Sequence, residues 1–334
     1  MNKNKKQSKT VPTITKRIGI ALVIIIAMLA ALYPLSDVMR DSIDDSTRAA
    51  LIKEGKAQQF IKTSLGTMHV RISGPDDGPV VLLVHGGVVG GYGYKNWQEP
   101  LAEAGYRVIV PDLLGYGYSD RPDIPYTKEF YVTQLRELLK GLDIEEPVNI
   151  VGASLGGEIV TAFAASSPDR IKSVLLVAPS GLGQDIYVSN TPTWPVIGDW
   201  IFRVLGASYT RNMMDKAYAQ SPDRDNMANW MKEQTNYRGF GDGMLNTIRN
   251  YKSDWQPEDY EILGRSNLPV MAIWGTEDVV HPYTQTKELL ARTPQTVLIT
   301  LEGKGHAITF GETASILASA IPFIDKANGL GSQD

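Results

Sequence analysis

Apolar residues form one long run near the N-terminus and short, regularly spaced runs along the rest of the chain. Residues 18–35 contain no charged side chain, and residues 1–17 carry six basic side chains and no acidic one. As a helix, the apolar run would span roughly 27 Å, which is close to the hydrocarbon thickness of a bilayer. We therefore predict a basic tail over 1–17 and a transmembrane anchor over 18–35, with the N-terminus cytoplasmic and the rest of the chain on the far, extracytoplasmic side.

A cleaved signal peptide is the alternative for this run. The run exceeds the usual apolar length of about 7–15 residues in signal peptides, and no Ala-x-Ala site follows it, so a retained anchor is favoured. Residues 36–56 are polar and charged. They predict a linker that contains a short helix over 46–54.

Beyond residue 57 the apolar runs are short, as in strands. Residues 60–63 and 68–73 flank Gly66 and predict an antiparallel hairpin. Later runs are apolar on both faces, as buried parallel strands are. They lie at 80–84, 108–110, 148–151, 174–177, 270–274 and 297–301. Helical patterns such as 131–142 separate most of them, so the chain predicts an α/β fold with a mostly parallel sheet covered by helices.

Residues 181–268 interrupt this alternation, because they contain no convincing strand pattern. Apolar side chains at 196, 197, 200, 201, 204 and 205 share one helical face, opposite Asp199 and Arg203. We predict a helical cap over 181–268, above the edge of the sheet where open α/β folds bind ligands. The core would then comprise 57–180 and 269–327. The apolar cap residues would either pack onto the core or line an apolar pocket.

The amino-acid composition argues against several kinds of binding site and partner. The chain has no cysteine, which excludes disulfides and thiolate ligands, and only four histidines, which argues against a histidine-rich metal centre. We expect neither a metal nor a cofactor. The net charge is −4 although the N-terminal tail is basic. The body is therefore acidic, which argues against nucleic-acid binding.

The segment 148–164 carries the clearest chemical signal. A short apolar run ends in Gly152-Ala153-Ser154-Leu155-Gly156, and a helical pattern follows. This predicts a strand, a sharp turn and a helix with Ser154 at the apex, where the two glycines avoid clashes between close backbones. The N–H of Leu155 would point from the helix N-terminus toward the group that Ser154 attacks. The alternative is a glycine-rich turn with a bystander serine.

A serine nucleophile needs a base, and the base needs an orienting acid. Asp278 follows the run 270–274, and His306 follows the run 297–301. Both should therefore emerge at the same edge of the sheet as Ser154. Glycines after the run 80–84 would leave backbone N–H groups free to face an oxyanion.

With these residues the chain resembles serine hydrolases of the α/β-hydrolase superfamily, in the cap-bearing group of small esterases and monoacylglycerol lipases. The resemblance covers residues 57–327 and implies an eight-stranded sheet. The motifs that carry it are His85-Gly86-Gly87, the segment 112–122, the Ser154 turn, the segment 274–278 with Pro282, and Gly305-His306.

The resemblance also implies roles for single residues. Ser154 would be the nucleophile, His306 the base and Asp278 the acid, with Glu277 as the alternative acid. Leu155 and Gly87 would donate the N–H groups of the oxyanion hole. Val88 stands where some lipases carry a further glycine, so its N–H is the alternative first donor.

The other candidate residues are interpreted as structural. His85 would brace the oxyanion loop, and His69 and His281 would be surface or packing residues. Asp112 and Asp120 would hold loops, because the superfamily motif at that point is architectural.

The expected activity is hydrolysis of carboxylic esters, with a lipophilic or acylglycerol-like substrate suggested by the anchor and the apolar cap. A C–C bond hydrolase of the same superfamily would use the same triad on dienoic diketones. Epoxide hydrolases and haloalkane dehalogenases are disfavoured, because both need a carboxylate where Ser154 stands. A non-catalytic binding protein with the same fold is the non-enzymatic alternative.

Overall fold

The strands of this chain form one eight-stranded sheet. The computed structural model describes residues 11–183, 194–217, 224–251 and 257–330. The sheet order is β1-β2-β4-β3-β5-β6-β7-β8. The strands are β1 (Gln59–Lys62), β2 (Thr67–Ser73), β3 (Val80–Val84), β4 (Arg107–Pro111), β5 (Val148–Ala153), β6 (Ile171–Val177), β7 (Val270–Gly275) and β8 (Val297–Leu301).

The direction of the strands follows the sequence prediction. β1 pairs with β2 and β2 pairs with β4 in antiparallel fashion, and all other pairs are parallel. The predicted hairpin and the mostly parallel eight-stranded sheet are thus confirmed. β5 lies between β3 and β6 and is buried along its whole length. The loop that follows β5 therefore leaves the sheet near its middle.

Helices cover both faces of this sheet. Helices α4 (Lys128–Gly141), α5 (Leu155–Ser166) and α13 (Thr313–Asn328) contact its strands, whereas α1 (Val11–Val38) contacts the segment Ile201–Leu205. The others are α2 (Asp45–Lys53), α3 (Gln98–Glu103), α6 (Ile197–Trp200), α7 (Gly206–Ala217), α8 (Arg224–Gln234), α9 (Phe240–Asn250), α10 (Pro257–Arg265), α11 (Thr286–Arg292) and α12 (Ile308–Gly311). Short 3₁₀ turns cover Gly90–Tyr94, Pro168–Arg170 and Tyr283–Gln285, and a π-helical turn covers Ile201–Leu205.

Alternate residues of β3 show how the two layers form. Leu82 and Val84 point into the cluster under α4 and α5, whereas Val81 and Leu83 point into the cluster under α3 and α13. All four side chains are fully buried. A strand buried on both faces explains why the runs in the sequence are apolar without alternation.

The segment between β6 and β7 contains helices α6 to α10 and no strand within its described residues. Part of its predicted apolar face is exposed, and the rest is partly buried. Val196 is 79% exposed and Ile197 is 53% exposed, so neither packs onto the core nor lines an interior pocket. We call the helices α6 to α10, with the π-helical turn, the helical insertion.

Helix α1 contains the predicted anchor. Within it, residues 15–38 are long and apolar enough to cross a membrane, and none of that window is buried by the rest of the chain. The C-terminal part of α1 contacts the helical insertion at the turn Ile201–Leu205. The expected linker helix is present as α2, whose side-chain N-cap Asp44 accepts a hydrogen bond from the N–H of Thr47 at 2.9 Å.

Candidate active site

Ser154 occupies the sharp turn between β5 and α5. Its φ of 53° and ψ of −123° are unusual for a residue with a side chain, and such strain costs about 1–3 kcal/mol. Three backbone hydrogen bonds hold it there. The N–H of Ser154 donates to the carbonyl of Val177 at 3.0 Å, and the carbonyl of Ser154 accepts from Gly157 at 2.9 Å and from Ser180 at 3.1 Å. The fold therefore fixes the serine at the end of the central strand.

The two glycines of this turn are required by close backbone approaches. A Cβ on Gly152 would lie 2.3 Å from the carbonyl oxygen of Gly156. A Cβ on Gly156 would lie 2.2 Å from the carbonyl oxygen of Val84 and 2.5 Å from that of His85. Since backbone atoms cannot swing aside as side chains do, any side chain at either position would displace the turn.

Asp278 and His306 meet at the same edge of the sheet. Asp278 follows β7 and is 5% exposed. Its Oδ2 lies 2.8 Å from Nδ1 of His306, which follows β8. A carboxylate in this position fixes the tautomer in which Nδ1 carries the proton and Nε2 is available to accept one. Nδ1 of His306 therefore pairs with Asp278 and not with the alternative acid, Glu277.

The other oxygen of Asp278 shapes the loop that contains His281. Oδ1 accepts hydrogen bonds from the N–H groups of Val280 at 2.8 Å and His281 at 2.9 Å. The indole N–H of Trp274 donates to the carbonyl of His281 at 2.9 Å. One carboxylate thus holds the His306 ring through one oxygen and the backbone of the His281 loop through the other.

His281, rather than His306, is the hydrogen-bond partner found for the Ser154 hydroxyl. Nε2 of His281 lies 3.2 Å from Oγ of Ser154, and the His281 side chain is 3% exposed. The rings of His281 and His306 meet edge to face with their centroids 4.9 Å apart. The interpretation of His281 as a surface or packing residue was therefore wrong. Its position three residues after Asp278, in the same loop, is the sequence feature that could have identified it as a residue of the site.

The loop after β3 lies directly against the serine. A Cβ on Gly86 would be 3.1 Å from Cβ of Ser154, so glycine allows the loop to come this close. A Cβ on Gly87 would be 3.7 Å from the side chain of Leu155, the first residue of α5. The N–H groups in the first turn of a helix have no partner within the helix. The predicted oxyanion donors, Gly87 and Leu155, are thus neighbours beside Ser154.

His85 braces this loop in a neutral form. Its Nε2 accepts a hydrogen bond from the N–H of Leu113 at 2.8 Å, and its Nδ1 lies 2.6 Å from the carbonyl oxygen of Gly86. The carbonyl can only accept, so Nδ1 carries the proton. Burial lowers the pKa of His85, which favours the same uncharged ring. A ring with both nitrogens occupied holds the loop and is not available for proton transfer to a substrate.

A second histidine–carboxylate pair lies outside the site. His69 and Asp112 are fully buried, and Nδ1 of His69 lies 2.7 Å from Oδ2 of Asp112. Asp112 also accepts from the N–H groups of Gly91 at 2.6 Å and Tyr118 at 3.0 Å. Burial alone would raise the pKa of Asp112, but the surrounding charges and hydrogen bonds, His69 first among them, together outweigh burial and hold the pKa well below its usual range. This pair ties together the loops beside the site.

The helical insertion packs over the loop that follows Gly87. The indole N–H of Trp230 in α8 donates to the carbonyl of Val89 at 3.0 Å. The same ring stacks on Tyr92 with a centroid distance of 5.0 Å. These contacts place α8 over the loop that follows Gly87.

Known proteins share this fold. The family model described as the alpha/beta hydrolase fold matches residues 79–313. An uncharacterized protein of Mycobacterium tuberculosis is 29% identical over 272 residues, which are 76% of this chain and 77% of that protein. The 2-hydroxy-6-oxo-6-(2'-aminophenyl)hexa-2,4-dienoic acid hydrolase of Metapseudomonas resinovorans is 25% identical over 259 residues, with 70% of this chain and 81% of that protein covered. The solved structure of a thermophilic esterase from Thermogutta terrifontis superposes with a TM-score of 0.67 at 20% identity, and covers 80% of this chain and 98% of the esterase.

Proposed function

Since the chain belongs to the α/β-hydrolase family, we propose that it is a serine hydrolase that cleaves carboxylic esters through an acyl-enzyme on Ser154. The observation that carries this proposal is the strained serine at the end of β5, with an imidazole 3.2 Å from its Oγ and a carboxylate–imidazole pair at the same sheet edge. A hydroxyl in this setting can be deprotonated as it attacks a carbonyl carbon.

His306 is the proposed base, because the carboxylate of Asp278 orients its ring and stabilises the imidazolium that forms. The Ser154 hydroxyl turns from His281 toward Nε2 of His306, transfers its proton there and attacks the ester carbonyl. The N–H groups of Leu155 and Gly87 stabilise the oxyanion, and one such donor contributes about 2.7–4 kcal/mol in comparable sites.

Acylation ends when the alcohol leaves, and deacylation then repeats the same proton transfers with water. His306 gives its proton to the leaving alcohol, and the alcohol departs. A water molecule then loses a proton to His306 and attacks the acyl-enzyme. Collapse of that intermediate returns the proton to Ser154 and releases the acid.

We further propose that the substrate is lipophilic and that α1 anchors the enzyme in a membrane. The support is the length and apolar composition of residues 15–38 and the contact between α1 and the helical insertion. The basic residues 1–17 favour a cytoplasmic N-terminus and an extracytoplasmic catalytic domain. A mass measurement on the protein isolated from membranes distinguishes an intact anchor from a cleaved signal peptide.

Hydrolysis of a C–C bond is the second candidate function. It is favoured by the relative from Metapseudomonas resinovorans, whose name states hydrolysis of a dienoic acid. The Ser154, His306 and Asp278 arrangement serves either reaction, since both begin at a carbonyl carbon. Only the substrate pocket separates the two functions.

Two measurements test the proposal. A fluorophosphonate probe should label the wild-type chain and not Ser154→Ala, and an unlabelled wild type would favour a non-catalytic binding protein. A separate sample of the wild-type enzyme, not treated with the probe, is then assayed on p-nitrophenyl esters of increasing acyl length and on a dienoic diketone. Rapid turnover of medium or long acyl esters supports the ester function. Turnover of the diketone alone would overturn it in favour of C–C cleavage.

A further inference from the structure

The segment 194–205, which leads into the helical insertion and forms its first turns, lies alongside α1 and carries exposed apolar side chains. Trp194, Val196, Ile197 and Leu205 are between 47% and 79% exposed. A water-facing helix normally shows polar residues on its outer side. We call residues 194–205 the interfacial segment.

Specific contacts fix the height of this segment along α1. The indole N–H of Trp200 donates to the carbonyl of Leu29 at 2.7 Å. One turn later, the guanidinium of Arg203 lies over the ring of Tyr33, 4.3 Å from its centroid, and donates to the carboxylate of Asp37 at 3.0 Å. The interfacial segment therefore ascends along α1 toward its C-terminal end.

Trp200 contacts α1 at Leu29, within the apolar run 18–35. Leu29 precedes the last apolar residue of that run, Leu35, by six positions, which corresponds to about 9 Å along a helix. If α1 spans a bilayer, Trp200 lies about this far below the end of the span. This depth is within the range of about 5–10 Å that apolar side chains reach in the membrane interface, and Val196 and Ile197, which precede Trp200, lie deeper.

The charged side chains of the segment do not oppose this placement. Asp199 is paired with Arg249 at 2.7 Å, and Arg203 is paired with Asp242 at 2.7 Å as well as with Asp37. Paired charges are easier to place near an apolar layer than isolated ones. Tyr33 and Trp200 are also the residue types that concentrate at membrane interfaces.

We propose that the interfacial segment is immersed in the bilayer interface beside α1, so that the insertion itself contacts lipid. This rests on the membrane anchor proposed above. The occupant of the apolar surface is the lipid bilayer, because the surface continues the exposed apolar face of α1. The insertion would then be held against the phase in which a lipophilic ester is dissolved.

The absence of cysteine makes a direct measurement of depth possible, because each introduced cysteine is the only one in the chain. Val196→Cys and Ile197→Cys report on the segment. Leu22→Cys in α1 is the membrane control, and Val297→Cys at the start of β8, 50% exposed, is the aqueous control. Each full-length variant is spin-labelled and placed in phosphatidylcholine–phosphatidylglycerol nanodiscs.

Power saturation then compares the access of oxygen, which concentrates in lipid, with that of a nickel chelate, which stays in water. Labels at 196 and 197 should resemble the label at 22, with high oxygen and low nickel access. Nickel access equal to that at 297 would overturn the proposal. Dipolar broadening between labels would also overturn it, because it would show that a second copy of the chain covers the surface. Neither readout depends on catalytic turnover, so a wrong enzymatic assignment would not affect it.

If the segment contacts lipid, a charge placed on it should slow hydrolysis of membrane-bound esters, which a kinetic comparison tests. Ile197→Glu should keep its rate on a water-soluble short-chain ester and lose rate several-fold on the same ester class dispersed in vesicles. Val297→Glu is the matched control and should behave as the wild type on both substrates. Equal rates of Ile197→Glu and wild type on the vesicle substrate would count against lipid contact at this segment.

Discussion

His281 and His306 both line the site, and replacing each with alanine distinguishes their roles. His281 makes the hydrogen bond to Ser154, at 3.2 Å, but its ring is not the one that Asp278 holds. His306 has the carboxylate at 2.8 Å from its Nδ1. A general base needs this carboxylate, because it fixes the tautomer and stabilises the imidazolium. The geometry therefore predicts that the nearer histidine contributes less to catalysis.

The expected losses differ by orders of magnitude. Removing a general base costs roughly 10²–10⁴-fold in rate, so His306→Ala should lose this much. His281→Ala removes one hydrogen bond that holds the Ser154 hydroxyl. A neutral hydrogen bond contributes about 0.5–1.5 kcal/mol, which corresponds to a loss of about 2- to 13-fold.

The assay is the rate of fluorophosphonate labelling of Ser154, together with kcat/KM on a p-nitrophenyl ester over a range of pH. His281→Ala should retain the acid limb of the pH profile, and His281→Asn should recover part of the lost rate by restoring a hydrogen-bond partner. Thermal unfolding midpoints control for misfolding. If His281→Ala loses as much rate as His306→Ala, or loses the acid limb, His306 is not the base and the proposed mechanism is wrong.

Three further changes probe the scaffold. Gly156→Ala should lose about 1–3 kcal/mol of stability and roughly 10²-fold in kcat, because its Cβ would lie 2.2 Å from a carbonyl oxygen. Gly311→Ala is the control. It has open space around its Cβ and should change neither thermal unfolding nor rate. Asp112→Asn should lower the free energy of unfolding in urea by about 3–5 kcal/mol at neutral pH, and an unchanged value would refute the role given to the buried pair. The pKa of Asp112 is lower in the folded chain than in the unfolded chain, where it is about 3.9. Its ionised carboxylate therefore stabilises the fold above this pH, and the stabilisation is lost as the pH falls further. Below about pH 4 the wild type should lose more stability than Asp112→Asn. Asp278→Asn should reduce kcat roughly 10²–10⁴-fold, measured with the same nitrophenyl ester, and a rate near that of the wild type would exclude Asp278 as the orienting acid.

Local features of the sequence were enough to predict the sheet and the turn at Ser154. A strand buried on both faces must be apolar throughout, so its position can be seen in the sequence without knowledge of its neighbours. The turn is equally local, because the glycines at 152 and 156 are needed by backbone atoms within the same strand, turn and helix or in the adjacent strand. The helix after the turn and the apolar run of α1 follow from composition for the same reason.

The environment of the Ser154 hydroxyl was decided by tertiary structure. His281 and His306 leave different strands at one edge of the sheet, so topology brings both close to the serine and does not rank them. The ranking depends on Asp278, whose Oδ1 binds the N–H groups of the 278–281 loop and turns the His281 ring toward Ser154. Hydrogen bonds of this kind join residues whose spacing in the chain carries no periodic signal.

The sequence by itself determined which residues are apolar, which strands they form and where a strained serine can stand, because these properties depend on neighbours along the chain. Only the tertiary structure decided what each apolar face meets. The periodicity of residues 196–205 is the same whether the helix faces a core, a pocket or lipid, and the contacts of Trp200 and Arg203 with α1 leave Val196 and Ile197 on the outside. The spacing of apolar residues in the sequence shows which side of a helix is apolar. What that side contacts depends on segments that are distant in the sequence.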